Sequence, residues 1–368
     1  MAIAQKKYKI CLVSECLSTG GAERVAALLS HFFVSKGIEI HHVIVLDSVV
    51  YDYSGELLNL GKLKNESNSV ANKWKRFFTF KKYIQHNNFD YIIDFRVKNN
   101  FYQEWIISKW VYKTPKIYTV RSYFLKFYFP KSKWLAQRIH NGAFGIVANT
   151  EKIRENVQAV YGFKKVNTIY NPIAIDVVDL QSREEPGIDF QYIVCAGRMN
   201  DNVKQFDKLM EAYSNSVLPS HNIKLIVLGD GKQRKALENR AAALQLESMV
   251  LFYGHVKNPF QYYKNAKFFV LSSKFEGMPN VILESLACGT PVVSFDCLSG
   301  PSEMITHKEN GLLVENQNVS QLTQAIDLFV EDEKLYHYCK GNARESIRKF
   351  SLENIGKQWL EYLKINVS

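Results

Sequence analysis

The chain reads as an α/β protein of two doubly wound units, each built on a mainly parallel sheet. Three observations predict this. Short apolar runs of strand length alternate with stretches of helical spacing, the pattern required by parallel strands joined through crossover helices. The alternation stops at Asn171-Pro172, where proline pushes the preceding residue out of the helical region, and starts afresh near Tyr192. A length of 368 residues is enough for two cores of ordinary size.

Residues 8–14 form the first strand. Ser-Thr-Gly-Gly-Ala-Glu-Arg at 18–24 then turns into a helix over 25–35. Gly20 and Gly21 let the backbone approach a ligand at that helix start, although the spacing is not the G-x-G-x-x-G dinucleotide fingerprint. Strands follow at 38–46, 91–95, 116–120 and 145–148, the last after a helix around 134–140. Asp94 and Arg96 follow one of these strands and either pair or point to solvent, whereas Arg121 ends another, a position from which it can face a ligand. Residues 166–173 read as the link between units, and 176–189 as polar and irregular. The second set runs through strand 192–196, helix 206–213, strand 224–229, helix 233–244 and strand 250–253. Strand 266–271, helix 280–288 and strand 291–295 complete it, with further helices at 321–329 and 351–365. This organisation divides the chain into 1–175, 176–350 and a terminal helix at 351–368. No internal repeat of 20 to 50 residues is present.

A hydrophobic content of 46% with 23% charged residues excludes disorder. Six cysteines lack paired metal spacing, and residues 1–9 lead directly into a strand with no secretory pattern, so a reducing cytoplasm is expected. No window reaches the roughly 18 uninterrupted apolar residues of a spanning helix, which leaves only peripheral membrane contact. The net charge of +11 is unevenly placed. Residues 1–175 carry 26 Lys+Arg against 12 Asp+Glu, whereas the remainder is slightly acidic. Three basic stretches, 74–83, 105–116 and 123–134, interleave with aromatic residues. Such a face suits an anionic membrane surface, since each cation gains about 1 kcal/mol there and aromatic rings settle among headgroups. No nucleic-acid module accompanies the charge, so nucleic acid is not an expected partner.

The second unit carries the sharpest signal. In residues 271–295, Glu276 and Glu284 stand across a helix start: Pro279 suits the first helical position, Gly289 the position past the end, and Pro291 forbids continuation. A helix start after a parallel strand directs free amides and a positive dipole end at its ligand, which favours phosphate. Arg198 and Lys204 follow a neighbouring strand and supply a bidentate and a point charge suited to a diphosphate. His140, His255 and His307 have no complementary nucleophile or metal spacing, and Cys288 reads as a packing residue. No D-x-D motif occurs, so no obligatory metal or other cofactor is expected.

The pattern E-G-M-P-N-x-x-x-E-S-L-A-C-G-T-P-V-V at 276–293 closely resembles the nucleotide-binding signature of retaining GT-B glycosyltransferases, the bacterial group known as family four or group 1. G-G-A-E-R at 20–24, A-G-R-M-N-D-N-V-K at 196–204 and G-P-S-E at 300–303 resemble loops of the same family. The resemblance implies two Rossmann-like domains facing a cleft, the first for the acceptor and the second for a nucleotide sugar. It implies a last helix returning to the first domain through Ile355, Trp359, Leu360 and Leu363. By the same resemblance Arg198 and Lys204 grip the donor diphosphate, Glu276 binds the donor sugar and Glu284 the ribose. Gly20, Gly21, Val256, Gly277, Met278, Pro279, Asn280 and Glu303 lie around the donor. Retention, a lipid-linked saccharide acceptor and a hexose or N-acetylhexosamine on UDP, with GDP-mannose as the other donor, are what it implies, at the inner face of the cell membrane, in synthesis of a capsule, O-antigen or similar glycan. Two departures stand out: Gln205 where a glycine often follows the lysine, and Arg121 where many relatives carry histidine, which leaves sugar or acceptor selectivity open. A nucleotide-sugar epimerase of related fold and a catalytically silent membrane scaffold are the alternative readings.

Overall fold

A computed structural model describes residues 6–18, 20–67, 69–98 and 100–366. Two compact units result, one of Met1–Pro172 with Leu352–Ser368 and one of Ile173–Ser351. The breaks fall after residue 172 and before residue 352.

The first unit holds a parallel sheet of seven strands among the described residues: β1 (Lys9–Ser14), β2 (Glu39–Ile44), β3 (Glu56–Asn59), β4 (Tyr91–Asp94), β5 (Lys116–Val120), β6 (Gly145–Ala148) and β7 (Val166–Thr168). Their order is β3-β2-β1-β4-β5-β6-β7, so the winding reverses between β1 and β4. The second unit orders β8 (Tyr192–Ala196), β9 (Lys224–Leu228), β10 (Val250–Gly254), β11 (Phe269–Leu271), β12 (Val292–Asp296) and β13 (Gly311–Glu315) as β10-β9-β8-β11-β12-β13. The central strands β1, β4, β8, β9 and β11 are nearly continuous apolar runs because helices cover both faces. Side-chain caps set several helix starts: Ser69 accepts from the Asn72 amide and Thr150 from the Ile153 amide.

Several expectations need correction. Residues 166–168, read as part of a link, pair with β6 as an edge strand, and β3 and β13 form the outer edges of their sheets. Such edges are too short to display alternation, and their pairing comes from the neighbouring strand. The stretch expected to be irregular after residue 175 begins with a helix, Ile175–Gln181, which buries Val178. Its helicity derives from packing, not from propensity. In the basic stretches, Lys116 is buried and donates to the Ser108 and Tyr112 carbonyls. Arg76 turns inward to the Leu60 and Val45 carbonyls. Lys116 belongs to no solvent face, and the half-buried Arg76 directs its guanidinium to main-chain acceptors.

The terminal helix Leu352–Tyr362 buries Ile355, Trp359 and Leu360, followed by Leu363, against Phe32, Phe33 and Val25 of the first unit. Asp94 and Arg96 pair: the Arg96 guanidinium donates to Asp94 Oδ2 at 2.7 Å and to Glu104 Oε2 at 3.1 Å. Lys98 joins this buried group through the Arg96 carbonyl at 2.9 Å.

Two buried histidines tie the first unit to pH. Burial lowers His42 from 6.5 to about 4 and His140 to about 3. Both are neutral when folded, while the unfolded chain begins to take up protons near pH 6.5. Stability is therefore fully present above pH 6.5 and declines as pH falls toward 4. All five tryptophans lie in the first unit, so their fluorescence reports its unfolding alone. Melting followed by fluorescence at pH 7.5 and 5 is expected to show this loss, and His140→Leu to reduce it; an unchanged slope in the variant would remove His140 from the account.

Candidate active site

The strand order of the second sheet reverses between β8 and β11. Connections leaving these two strands diverge, and the crevice opened at their carboxyl ends is where ligands bind in such sheets. The loop of residues 197–205 leaves β8, and the loop of residues 272–279 leaves β11. Lys204 Nζ donates to Glu276 Oε1 at 2.5 Å, and Ser273 Oγ donates to the same oxygen at 2.7 Å. Below this pair the loops are joined through main chain: Ser272 Oγ donates to the Lys204 carbonyl at 2.7 Å, and the Lys274 amide to the Val203 carbonyl at 2.8 Å. The methylenes of Lys204 lie over Gly197, where an added Cβ would come within 2.9–3.1 Å of them. Arg198 is exposed and has no ion pair among the described residues. The crevice thus holds one neutralised pair and one free guanidinium.

The loop after β12 braces this mouth. Ser299 Oγ donates to the Gly277 carbonyl at 3.0 Å. Gly300 has φ 101°, and a Cβ there would stand 2.6 Å from both the Gly277 oxygen and Pro279 Cδ, so only glycine allows this approach. Met278 and Pro279 are buried and Asn280 is half-buried. Pro279 caps the helix Asn280–Ala287 from outside with ψ 105° and does not occupy its first position. Its extended conformation carries the loop up to the helix start. Gly289, at φ 78°, follows the helix as expected. Glu284 is on the second turn and only 4% exposed. Glu303, in the short helix Pro301–Met304, and Val256, after β10, are half-buried at the same sheet edge.

Gly20, Gly21 and Arg121 belong to the first unit. The Glu23 carboxylate folds back over Gly20, so the start of the helix Gly21–Ser35 has an acidic group of its own. Arg121 follows β5, donates to Asn171 Oδ1 and lies 5.5 Å from the centre of the Phe95 ring. Burial lowers its pKa to about 10, which leaves it charged at neutral pH.

Sequence reasoning missed Ser272 and Ser273, although two serines directly after a buried strand are a signal for side chains aimed into a strand-end mouth. It also missed the partner of Gln205. This residue adopts left-handed backbone at φ 47°, where the expected glycine would be unstrained. Its amide exchanges hydrogen bonds with Gln317 at 2.6 and 2.9 Å, and Gln317 also accepts from Lys208 at 2.9 Å. Side-chain bonds to a residue 112 positions away offset the backbone strain. The Cys288 thiol, pushed up to about 12 by burial, stays protonated, and a thiolate role is ruled out at neutral pH.

The family model described as glycosyl transferases group 1 matches residues 180–346, and that described as glycosyltransferase family 4 matches residues 19–177. The chain belongs to these glycosyltransferases. This family 4 chain is 27% identical over 363 residues to the Campylobacter jejuni N-acetylgalactosamine-N,N'-diacetylbacillosaminyl-diphospho-undecaprenol 4-alpha-N-acetylgalactosaminyltransferase, covering 94% of this chain and 97% of that one. It is 26% identical over 377 residues to the GalNAc-alpha-(1->4)-GalNAc-alpha-(1->3)-diNAcBac-PP-undecaprenol alpha-1,4-N-acetyl-D-galactosaminyltransferase of the same bacterium, covering 96% and 98%. Its GT-B fold is shared with Anabaena HepE, solved in complex with UDP-glucose, at a TM-score of 0.78 and 19% identity over 97% of this chain and 99% of that one.

Proposed function

We propose that this glycosyltransferase moves a hexose or N-acetylhexosamine from a UDP-linked donor to a lipid-linked saccharide in surface-glycan synthesis. The transfer retains anomeric configuration and needs no obligatory metal. The observation that carries this reading is the crevice between β8 and β11, where the Lys204–Glu276 pair adjoins the free Arg198. A donor diphosphate draws Lys204 away from Glu276 and binds Arg198. The released carboxylate then accepts from donor-sugar hydroxyls. As the sugar–phosphate bond breaks, Arg198, Lys204 and the amides along 277–280 stabilise the charge growing on the leaving phosphate. The acceptor oxygen bonds to the anomeric carbon on the same face and gives its proton to that phosphate. Glu284 binds the ribose. Two cations in place of any D-x-D motif support the metal-free reading, and the UDP-glucose complex of HepE supports a UDP donor.

The two Campylobacter relatives, named for undecaprenol-linked substrates and α-linked products, support a lipid-linked acceptor and an α-product. Among the described residues no helix is long and apolar enough to cross a membrane. Exposed Trp74, Phe78, Trp110 and Trp134 stand among exposed Lys75, Lys82, Lys109 and Lys133, which supports peripheral attachment at the inner face of the cell membrane.

Incubation with a panel of UDP- and GDP-sugars, with and without an undecaprenyl-diphosphate-linked saccharide, tests the reading by mass detection. Nucleotide release only with acceptor, an α-product from an α-donor and an EDTA-insensitive rate are expected. Sugar interconversion without acceptor would establish an epimerase instead. In a separate assay, changing Lys75, Lys82 and Lys109 to glutamate should weaken binding to anionic vesicles by about 1 kcal/mol per lost cation. Unchanged vesicle binding would remove the membrane face.

A further inference from the structure

A pocket of about 600 Å³ opens in the first unit, near the carboxyl ends of β1 and β2, between the helix Val70–His86 and the helical segment beginning at Phe101. Its volume is in the range of pockets that take a small ligand. Val13, Val43, Leu60, Phe77, Phe80 and Ile106 give it an apolar wall. Two cations reach that wall, and both are already occupied. Arg96 is held by Asp94 and Glu104, and Arg76 by the Leu60 and Val45 carbonyls at 3.0 and 2.8 Å. An aliphatic ligand therefore meets no unpaired charge to desolvate.

The mouth differs from the wall. Trp74 is 52% exposed, Tyr102 84% and Trp110 53%, although a pocket with an apolar wall lies beside them. Lys73 is exposed at the same mouth and has no ion pair among the described residues. An apolar interior, an aromatic rim and a free cation match a molecule with a hydrocarbon chain and a phosphate head. The pocket has room for one chain. A diacyl lipid would leave its second chain outside, whereas an isoprenoid diphosphate has only one to bury.

We infer that this pocket takes the phosphate-proximal isoprenoid segment of the acceptor, with Lys73 beside the diphosphate. The inference rests on the proposed lipid-linked acceptor and adds a site that holds the lipid itself. Chain capture at this edge holds the attached saccharide near the carboxyl ends of the first sheet. The surface around Lys75, Phe78 and Lys82 continues from the rim, so a chain leaving the bilayer enters without crossing a wide aqueous gap.

Calorimetry with farnesyl diphosphate, inorganic diphosphate and phosphatidylglycerol vesicles as probes tests this. Farnesyl diphosphate is expected to bind at least about tenfold more tightly than inorganic diphosphate. Ile106→Phe, which fills the pocket, and Trp74→Ala, at an exposed rim position that leaves the core intact, should each weaken farnesyl diphosphate about tenfold while inorganic diphosphate is unaffected. Equal affinity for the two diphosphates, or variants that bind farnesyl diphosphate normally, would overturn the inference. Displacement of farnesyl diphosphate by the vesicles at equal lipid concentration would also overturn it and assign the pocket to acyl chains. UDP binding is measured in parallel on the same variants. Loss of UDP binding in the unmodified protein would sink the transferase reading, while the farnesyl comparison judges the pocket by itself.

Discussion

Arg198→Ala and Lys204→Ala are each expected to lower kcat for sugar transfer by about 10²–10³-fold, the usual loss on removing one fixed donor to a developing oxyanion. The two should differ in how they fail. Arg198 is exposed and has no ion pair among the described residues, so its removal takes away a charge without disturbing its surroundings. Lys204 is held by Glu276 at 2.5 Å, with its stem over Gly197. Its loss leaves Glu276 with only Ser273 as hydrogen-bond donor among the described residues, and UDP affinity is expected to fall along with kcat. Lys204→Arg should restore little, because the bulkier fork does not fit the close path past Gly197. Initial rates and UDP titrations of the same variants check both points. Full transfer by an Arg198→Ala, Glu284→Ala double variant would show that these residues do not form the donor site.

Trp359→Ala is expected to destabilise the first unit by about 3–5 kcal/mol, the range for emptying an aromatic site in a core. Trp359 is 1% exposed and packs with Ile355, Leu360 and Leu363 into the cluster that contains Phe32 and Phe33. Little relaxation is available there. At Gly356, three residues earlier, an added Cβ would fall within 2.4–2.5 Å of the Phe32 ring, so the helix already lies as close to that ring as backbone permits. A unit of this size loses about 2–4 °C in Tm per kcal/mol, which predicts a fall of roughly 10 °C. Fluorescence from the four remaining tryptophans follows the first unit, whereas circular dichroism follows both. An unchanged midpoint would mean that the terminal helix contributes little to the fold it completes.

Much of this protein was legible because its signals are local. Alternation of apolar runs with helical spacing required only neighbouring residues, and it placed the central strands of both sheets. Proline and glycine around residues 279–291 marked a helix whose ends the structure reproduces to within one position. The same locality explains the misses. β3, β7 and β13 are edge strands with three to five residues each, stabilised by the strand beside them and not by a pattern of their own. The helix Ile175–Gln181 follows a proline-broken link, and its short run of β-branched residues and aspartates, with a polar stretch after it, concealed a helix that packing stabilises.

At the site the division is similar. Residue types and their positions after strands marked Arg198, Lys204, Glu276 and the 277–280 loop, because a parallel sheet presents every strand end on one edge. Whether two of those groups touch depends on strand order, which no local pattern encodes. Lys204 and Glu276 are 72 residues apart and meet only because β8 and β11 are neighbours across the reversal of winding. The fold likewise decides that Arg76 turns inward to carbonyls 16 and 31 residues away and that Gln205 is held by Gln317, whereas Arg96 finds Asp94 and Glu104 within eight residues of itself. The sequence alone determined which elements form and which chemistry stands at their ends, since helix and strand periods are properties of adjacent residues. Only the tertiary structure decided which charges pair and which stay available, since pairing requires distant segments to be brought within hydrogen-bond reach.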